Sequence, residues 1–136
     1  MRSPRLLVGF LVLLLSAPFS TCDEKQDRTT LQGKWRAVQA TSNGEAPPPG
    51  MLEKLILVFS RESVSITGSA PTRFTIDTNF VPARMDILNS RHQVGIYELQ
   101  GDTLKVCFRL DGDRPTTFHT EKYTDHTYML LERVKK

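Results

Sequence analysis

The chain has 136 residues, with 18 Lys and Arg against 15 Asp and Glu, three His, two Cys, eight Gly and eight Pro. That length accommodates one hydrophobic core and no second, and 24% charged with 39% apolar residues excludes an acidic disordered tail, a collagen and a disulfide-stapled miniprotein. The pI of about 9.0 is no sign of nucleic-acid binding, because Arg2 and Arg5 lie in a segment with the look of a removable signal, and without them a single positive charge remains in excess.

Residues 1–22 read MRSPRLLVGFLVLLLSAPFSTC. Arg2 and Arg5 make a basic start, residues 6–15 are an unbroken apolar run, and the small or turn-prone Ser16, Ala17, Pro18 and Ser20 follow. This is the layout of a secretory signal peptide. A spanning helix takes about 20 apolar residues, and the run ends well short of that. Cys22 falls where bacterial lipoproteins carry their acylated cysteine; Ser20 fits that pattern, whereas Phe19 and Thr21 depart from it. Lipidation of Cys22, simple cleavage near Ser20 and a retained anchor all stay open. Residues 23–30 are polar and without periodicity, which predicts a flexible tether leading to a domain over residues 31–136.

From Leu31 onward the hydrophobic pattern has period two, interrupted by turn residues at short intervals. A first strand is expected over 31–40, around Trp35, Val38 and Ala40. Asn43-Gly44 marks a turn because both residues tolerate positive φ. Pro47-Pro48-Pro49 then enforces an extended stretch outside any ladder, since proline has no donor. Residues 51–54 can manage one helical turn. Eight further strand candidates follow at 55–59, 63–67, 73–77, 84–88, 93–99, 103–110, 116–120 and 127–134, with a tight hairpin at Gln100-Gly101-Asp102. Leu104, Val106, Phe108 and Leu110 share one face of their strand, as do Phe74 and Ile76, Val64 and Ile66, and Met85 and Ile87. One apolar face per strand, and no long amphipathic helix, argue for an antiparallel sandwich or barrel.

Three segments carry a resemblance: Leu31-Gln32-Gly33-Lys34-Trp35, the run from Gly95 to Cys107, and Asp113-Arg114-Pro115-Thr116. Together they resemble the uncharacterised lipocalin-like domain family expanded in planctomycete bacteria. The resemblance implies an exported, all-β, small antiparallel lipocalin-like β-barrel of about eight strands, preceded by a signal peptide; it supplies no reaction. The Gly33-x-Trp35 pair is also similar to the first-strand signature of lipocalins proper, which implies that the indole closes one end of the barrel while glycine permits close backbone approach.

Chemistry-bearing motifs are sparse. The chain has no nucleophile elbow, Walker loop, dinucleotide fingerprint, His-Glu-x-x-His or Cys-x-x-Cys. His119 and His126 would face each other across a hairpin if Lys122-Tyr123 is its turn, and with Glu121 or Asp125 they would outline a metal site; two solvated histidines at a hairpin end is the plainer reading. Lys105 and Arg109 flank Cys107 on its own face and would lower its thiol pKa, against the plainer reading of an inert strand cysteine. Asp111 and Asp113 beside Gly112 are sufficiently explained as turn residues. No catalytic residue, cofactor or metal is therefore assigned.

An eight-stranded barrel is wide enough either to be filled by its own side chains or to hold one small molecule. By size, Phe59, Phe74, Tyr97 and Phe108 are the candidate pocket residues. The expectation is an exported, non-catalytic interaction or envelope-associated module, located in the periplasm, the envelope or outside the cell. Its partner would be an unknown protein, with no nucleic acid and with membrane contact only through a lipid on Cys22. The alternative is binding of a small apolar or amphipathic ligand at the barrel mouth, which a connected apolar cavity of about 300 Å³ would favour.

Overall fold

The computed structural model describes residues 24–135; the segment read as a signal, with Cys22, lies outside the described residues. Eight strands form a closed antiparallel barrel: β1 (Gly33–Ser42), β2 (Ile56–Ser60), β3 (Ser63–Ile66), β4 (Thr72–Asp77), β5 (Ala83–Ile87), β6 (Gln93–Gln100), β7 (Thr103–Leu110) and β8 (His126–Arg133). Each strand pairs with its neighbour in sequence, and β8 closes onto β1. Closure leaves no unpaired sheet edge.

The inward faces follow the alternation of the sequence. Leu57 and Phe59, Phe74 and Ile76, Met85 and Ile87, Leu104, Val106 and Phe108, and Met129 and Leu131 all join one buried cluster. On β1 a bulge between Ala37 and Gln39 resets the register, so Ala37 and Ala40 are both buried while Val38 is turned outward. Gly95 is buried because the Phe108 ring lies across it; a Cβ there would meet that ring at 2.4 Å and the Cys107 carbonyl oxygen at 2.7 Å.

The meander gives the barrel two unlike ends. The closed end holds the β2–β3 turn, the β6–β7 hairpin, the start of β1 and the end of β8. The open end holds the finish of β1, residues 43–55 and the starts of β6 and β8. Over residues 24–30 the expected tether is a helix instead, α1 (Glu24–Leu31). Asp27 and Leu31, four residues apart, share one helical face and are buried, while Glu24 and Arg28 pair across the same spacing at 3.4 Å. So short a segment owes its helicity to what it packs on.

Of the nine strand candidates, 116–120 is not a strand; it belongs to residues 111–125, which link β7 to β8 across the outer wall. A sheet already closed offers it no edge to join. Its Pro115 is fully buried, and Ile96 and Cys107, which pair across the outward face of β6 and β7, are shielded to 2% and 0% exposure.

Candidate functional site

At the closed end Trp35 is fully buried, and its indole Nε1 donates to the Leu31 carbonyl at 2.9 Å. Arg133, from the last strand, lays its guanidinium 4.3 Å from the centre of the Trp35 ring. The same group donates to the Gln32 carbonyl at 2.8 Å, to the Thr30 carbonyl, and to Asp102 at 3.0 Å. Gly33 sits at φ +118, where a side chain would be strained, and a Cβ would touch Arg133 at 3.4 Å. Gln32 ties α1 to the β2–β3 turn, accepting from the Arg61 amide at 2.5 Å and donating to its carbonyl at 3.0 Å. Gly33 and Trp35 thus sit where chain start and chain end cross.

Of the four aromatic pocket candidates, three, Phe59, Phe74 and Tyr97, are packed against one another or against α1. Phe59 and Phe74 pack edge to face at 5.1 Å, and the Arg28 guanidinium stands 5.6 Å from the Phe74 ring. The Tyr97 hydroxyl donates to Asp27 of α1 at 2.6 Å. Alternation tells which face a side chain takes but not its height along the barrel, and at this height α1 seals the interior. Phe108 lines a cavity at the open end.

That open end is built by the prolines. After the Ser42–Glu45 bridge the chain cannot continue in a ladder through Pro47-Pro48-Pro49, so it arches away from the wall and returns through one 3-10 turn, Leu52–Lys54. Under the arch lies a cavity of about 420 Å³, lined by apolar Ala40, Ala46, Pro47, Pro48, Met51 and Leu55 together with Thr41, Ser42, Asn43, Glu45 and Thr127. A second cavity of about 230 Å³ lies between Leu55, Ile66, Phe108, Leu110 and Met129, with Gln93, Asp125 and Thr127 at its edge. The two share Leu55 and Thr127, so they adjoin at the open end as two lobes on either side of these residues.

One rim of the mouth is fastened by residues 120–125. The Thr120 hydroxyl donates to Thr41 at 2.9 Å and accepts from the Gly44 amide at 3.2 Å. Asn43 accepts from the Asp125 amide at 2.7 Å through its side chain, and its own amide donates to the His126 carbonyl at 3.1 Å. Sequence reasoning ranked side chains by bulk and so passed over Ala40, Leu55, Thr127 and Met129. The Pro47-Pro48-Pro49 run, read only as a break in the sheet, was the signal that pointed here.

The outer wall carries a polar cluster of its own. Arg114 donates to both carboxylate oxygens of Asp86, to Oδ2 at 3.2 Å, and to the Gly95 carbonyl at 2.8 Å; His92 approaches Asp86 at 3.4 Å. Burial alone would raise the Asp86 pKa, but the hydrogen bonds and charge of Arg114, helped by His92, outweigh it and hold the carboxyl below its usual range. Beside this cluster a polar hollow of about 270 Å³ runs past Asp77 and Arg84.

The remaining candidates are placed as follows. Cys107 has Lys105 and Arg109 for neighbours in the strand, yet burial beneath residues 111–125 pushes its thiol up to about 11, so desolvation overrides the expected activation. His119 stands 3.9 Å from Glu121. His126 is displaced below its usual range by burial and by Arg109, against the opposing pull of Asp125. Among the described residues no group of three or more His, Cys, Asp and Glu side chains is placed to hold a metal ion. No protein-family model, no curated protein and no solved structure matches the chain.

Proposed function

We propose that the chain is an exported, non-catalytic binding module that takes up a small amphipathic molecule at the open end of its barrel. The observation that carries this reading is the two-lobed mouth, whose larger lobe of about 420 Å³ falls within the range of small-molecule pockets. Its lining is largely apolar and also includes the hydroxyl, amide and carboxylate residues Thr41, Ser42, Asn43, Glu45, Gln93, Asp125 and Thr127. Export is supported by the basic start and apolar run of residues 1–22, and attachment to a membrane by the position of Cys22. The closed end, with Gly33 and Trp35 under α1, fits the lipocalin-like family that the sequence resembles.

Native mass spectrometry of the full-length chain, extracted from the membrane fraction of cells that make it, tests both halves. The expected spectrum shows acyl mass on Cys22 and a noncovalent small-molecule adduct that Ala40→Phe abolishes. A bare chain, or an adduct indifferent to that substitution, overturns the binding reading. A second reading, docking of a protein partner over the same end, is favoured by Met51, Leu88 and Leu110, which are 52%, 39% and 40% exposed. A stoichiometric protein complex in that spectrum, with no small molecule, would select it.

A further inference from the structure

We infer that the occupant of the mouth is an amphipathic cation: a short apolar chain or ring bearing a protonated amine. This rests on the small-molecule reading above and adds the charge of the ligand. The residues lining the two lobes include two charged side chains, Glu45 and Asp125, and both are acidic. No Lys, Arg or His lines either lobe. The rest of the edge is neutral: Thr41, Ser42, Asn43, Gln93 and Thr127.

Glu45 and Asp125 are carried by adjoining backbone. Glu45 is held by paired hydrogen bonds with Ser42, at 2.8 and 2.9 Å, and the Asp125 amide is held by Asn43, the residue after Ser42. An ammonium group has three donors and no acceptor, so it can serve such an edge while its chain lies against Leu55, Phe108 and Met129. An anionic head would meet two like charges above a low-dielectric wall. Lys54, whose neighbour Leu55 is shared by both lobes, is not among the residues lining either. His126, outside the lining, is kept on its neutral side at neutral pH by burial and by Arg109, and Lys122 belongs to the turn packed on Gly44 without lining either lobe. Both carboxylates are exposed, so screening keeps the discrimination modest.

The test is calorimetric titration of the full chain at low salt with three probes of equal length: octylammonium, octanoate and octanol. Octylammonium is expected to bind about tenfold or more tighter than octanoate, a difference of about 1.4 kcal/mol, with octanol between them. Replacing both carboxylates, Glu45→Gln with Asp125→Asn, is expected to bring octylammonium down to the octanol level. Asparagine suits the positive φ of 56° at position 125, and circular dichroism verifies the fold of the variant. Octanoate binding as tightly as octylammonium, or a cation preference that survives the double substitution, overturns the inference while leaving the small-molecule reading in place. Failure of all three probes to bind overturns both.

Discussion

Arg133 shows how much one side chain can fasten. It covers the Trp35 indole and at the same time satisfies carbonyls at residues 30 and 32, where the chain passes from α1 into β1. Replacing it with methionine keeps the stem over the ring and removes the donors. Charge-assisted bonds of this kind are worth about 1.5–3 kcal/mol each in a partly buried setting. Arg133→Met should therefore lower the unfolding free energy by about 2 kcal/mol or more in urea titration, and an unchanged midpoint would dismiss the clamp. Gly95 is a second such position: Gly95→Ala drives a methyl into the Phe108 ring and should cost about 1–3 kcal/mol by the same measurement. Cys107 makes a kinetic prediction. With its thiol pushed up to about 11 and no exposed surface, it should resist a disulfide reagent in the folded protein and react fully once urea unfolds the chain. Fast stoichiometric labelling of the native state would contradict that.

At the scale of elements, residues 111–125 behave as a strap whose anchor is the Arg114–Asp86 pair. The Asp86 carboxyl has a lowered pKa in the folded state. Its contribution to stability is therefore full above the unfolded value and is lost as pH falls through the folded one. The stability difference between the natural chain and Arg114→Gln should be about 2 kcal/mol at neutral pH and should shrink below about pH 4. A difference that holds constant into acid would assign the anchoring to the Gly95 carbonyl bond alone. The elements also show what could be read from the sequence. Alternation located eight strands and the dry faces of four of them, because burial on one side of a sheet imposes period two. The same rule failed at 116–120, where a short alternating stretch was available but no sheet edge was. It failed again at α1, where two buried positions four apart, Asp27 and Leu31, were hidden among polar neighbours. The wall of the mouth was legible only as far as Phe108, since height along a barrel depends on how strands stagger, which no single strand records.

For the whole molecule, the barrel divides into a solid lower part and a hollow upper one, and the two should respond differently to substitution. Leu31→Ala, in the solid part, should cost about 2–4 kcal/mol and leave occupancy of the mouth intact in whatever fraction remains folded. Ala40→Phe, in the hollow part, should block the mouth with far less effect on the urea midpoint. Equal effects on both readouts would mean that the molecule has no such division. The position of α1 has a geometric outcome for an anchored protein. A single residue, Asp23, separates Cys22 from the helix, and that helix is docked on the sealed pole. With acyl chains on Cys22 the barrel would stand on its plugged base like a cup on a table, its opening directed into the aqueous space. Cargo would then be exchanged with the fluid above the bilayer and not drawn from the lipid beneath, and a fluorophore at position 110 would escape quenchers borne by the lipid that reach one at position 61.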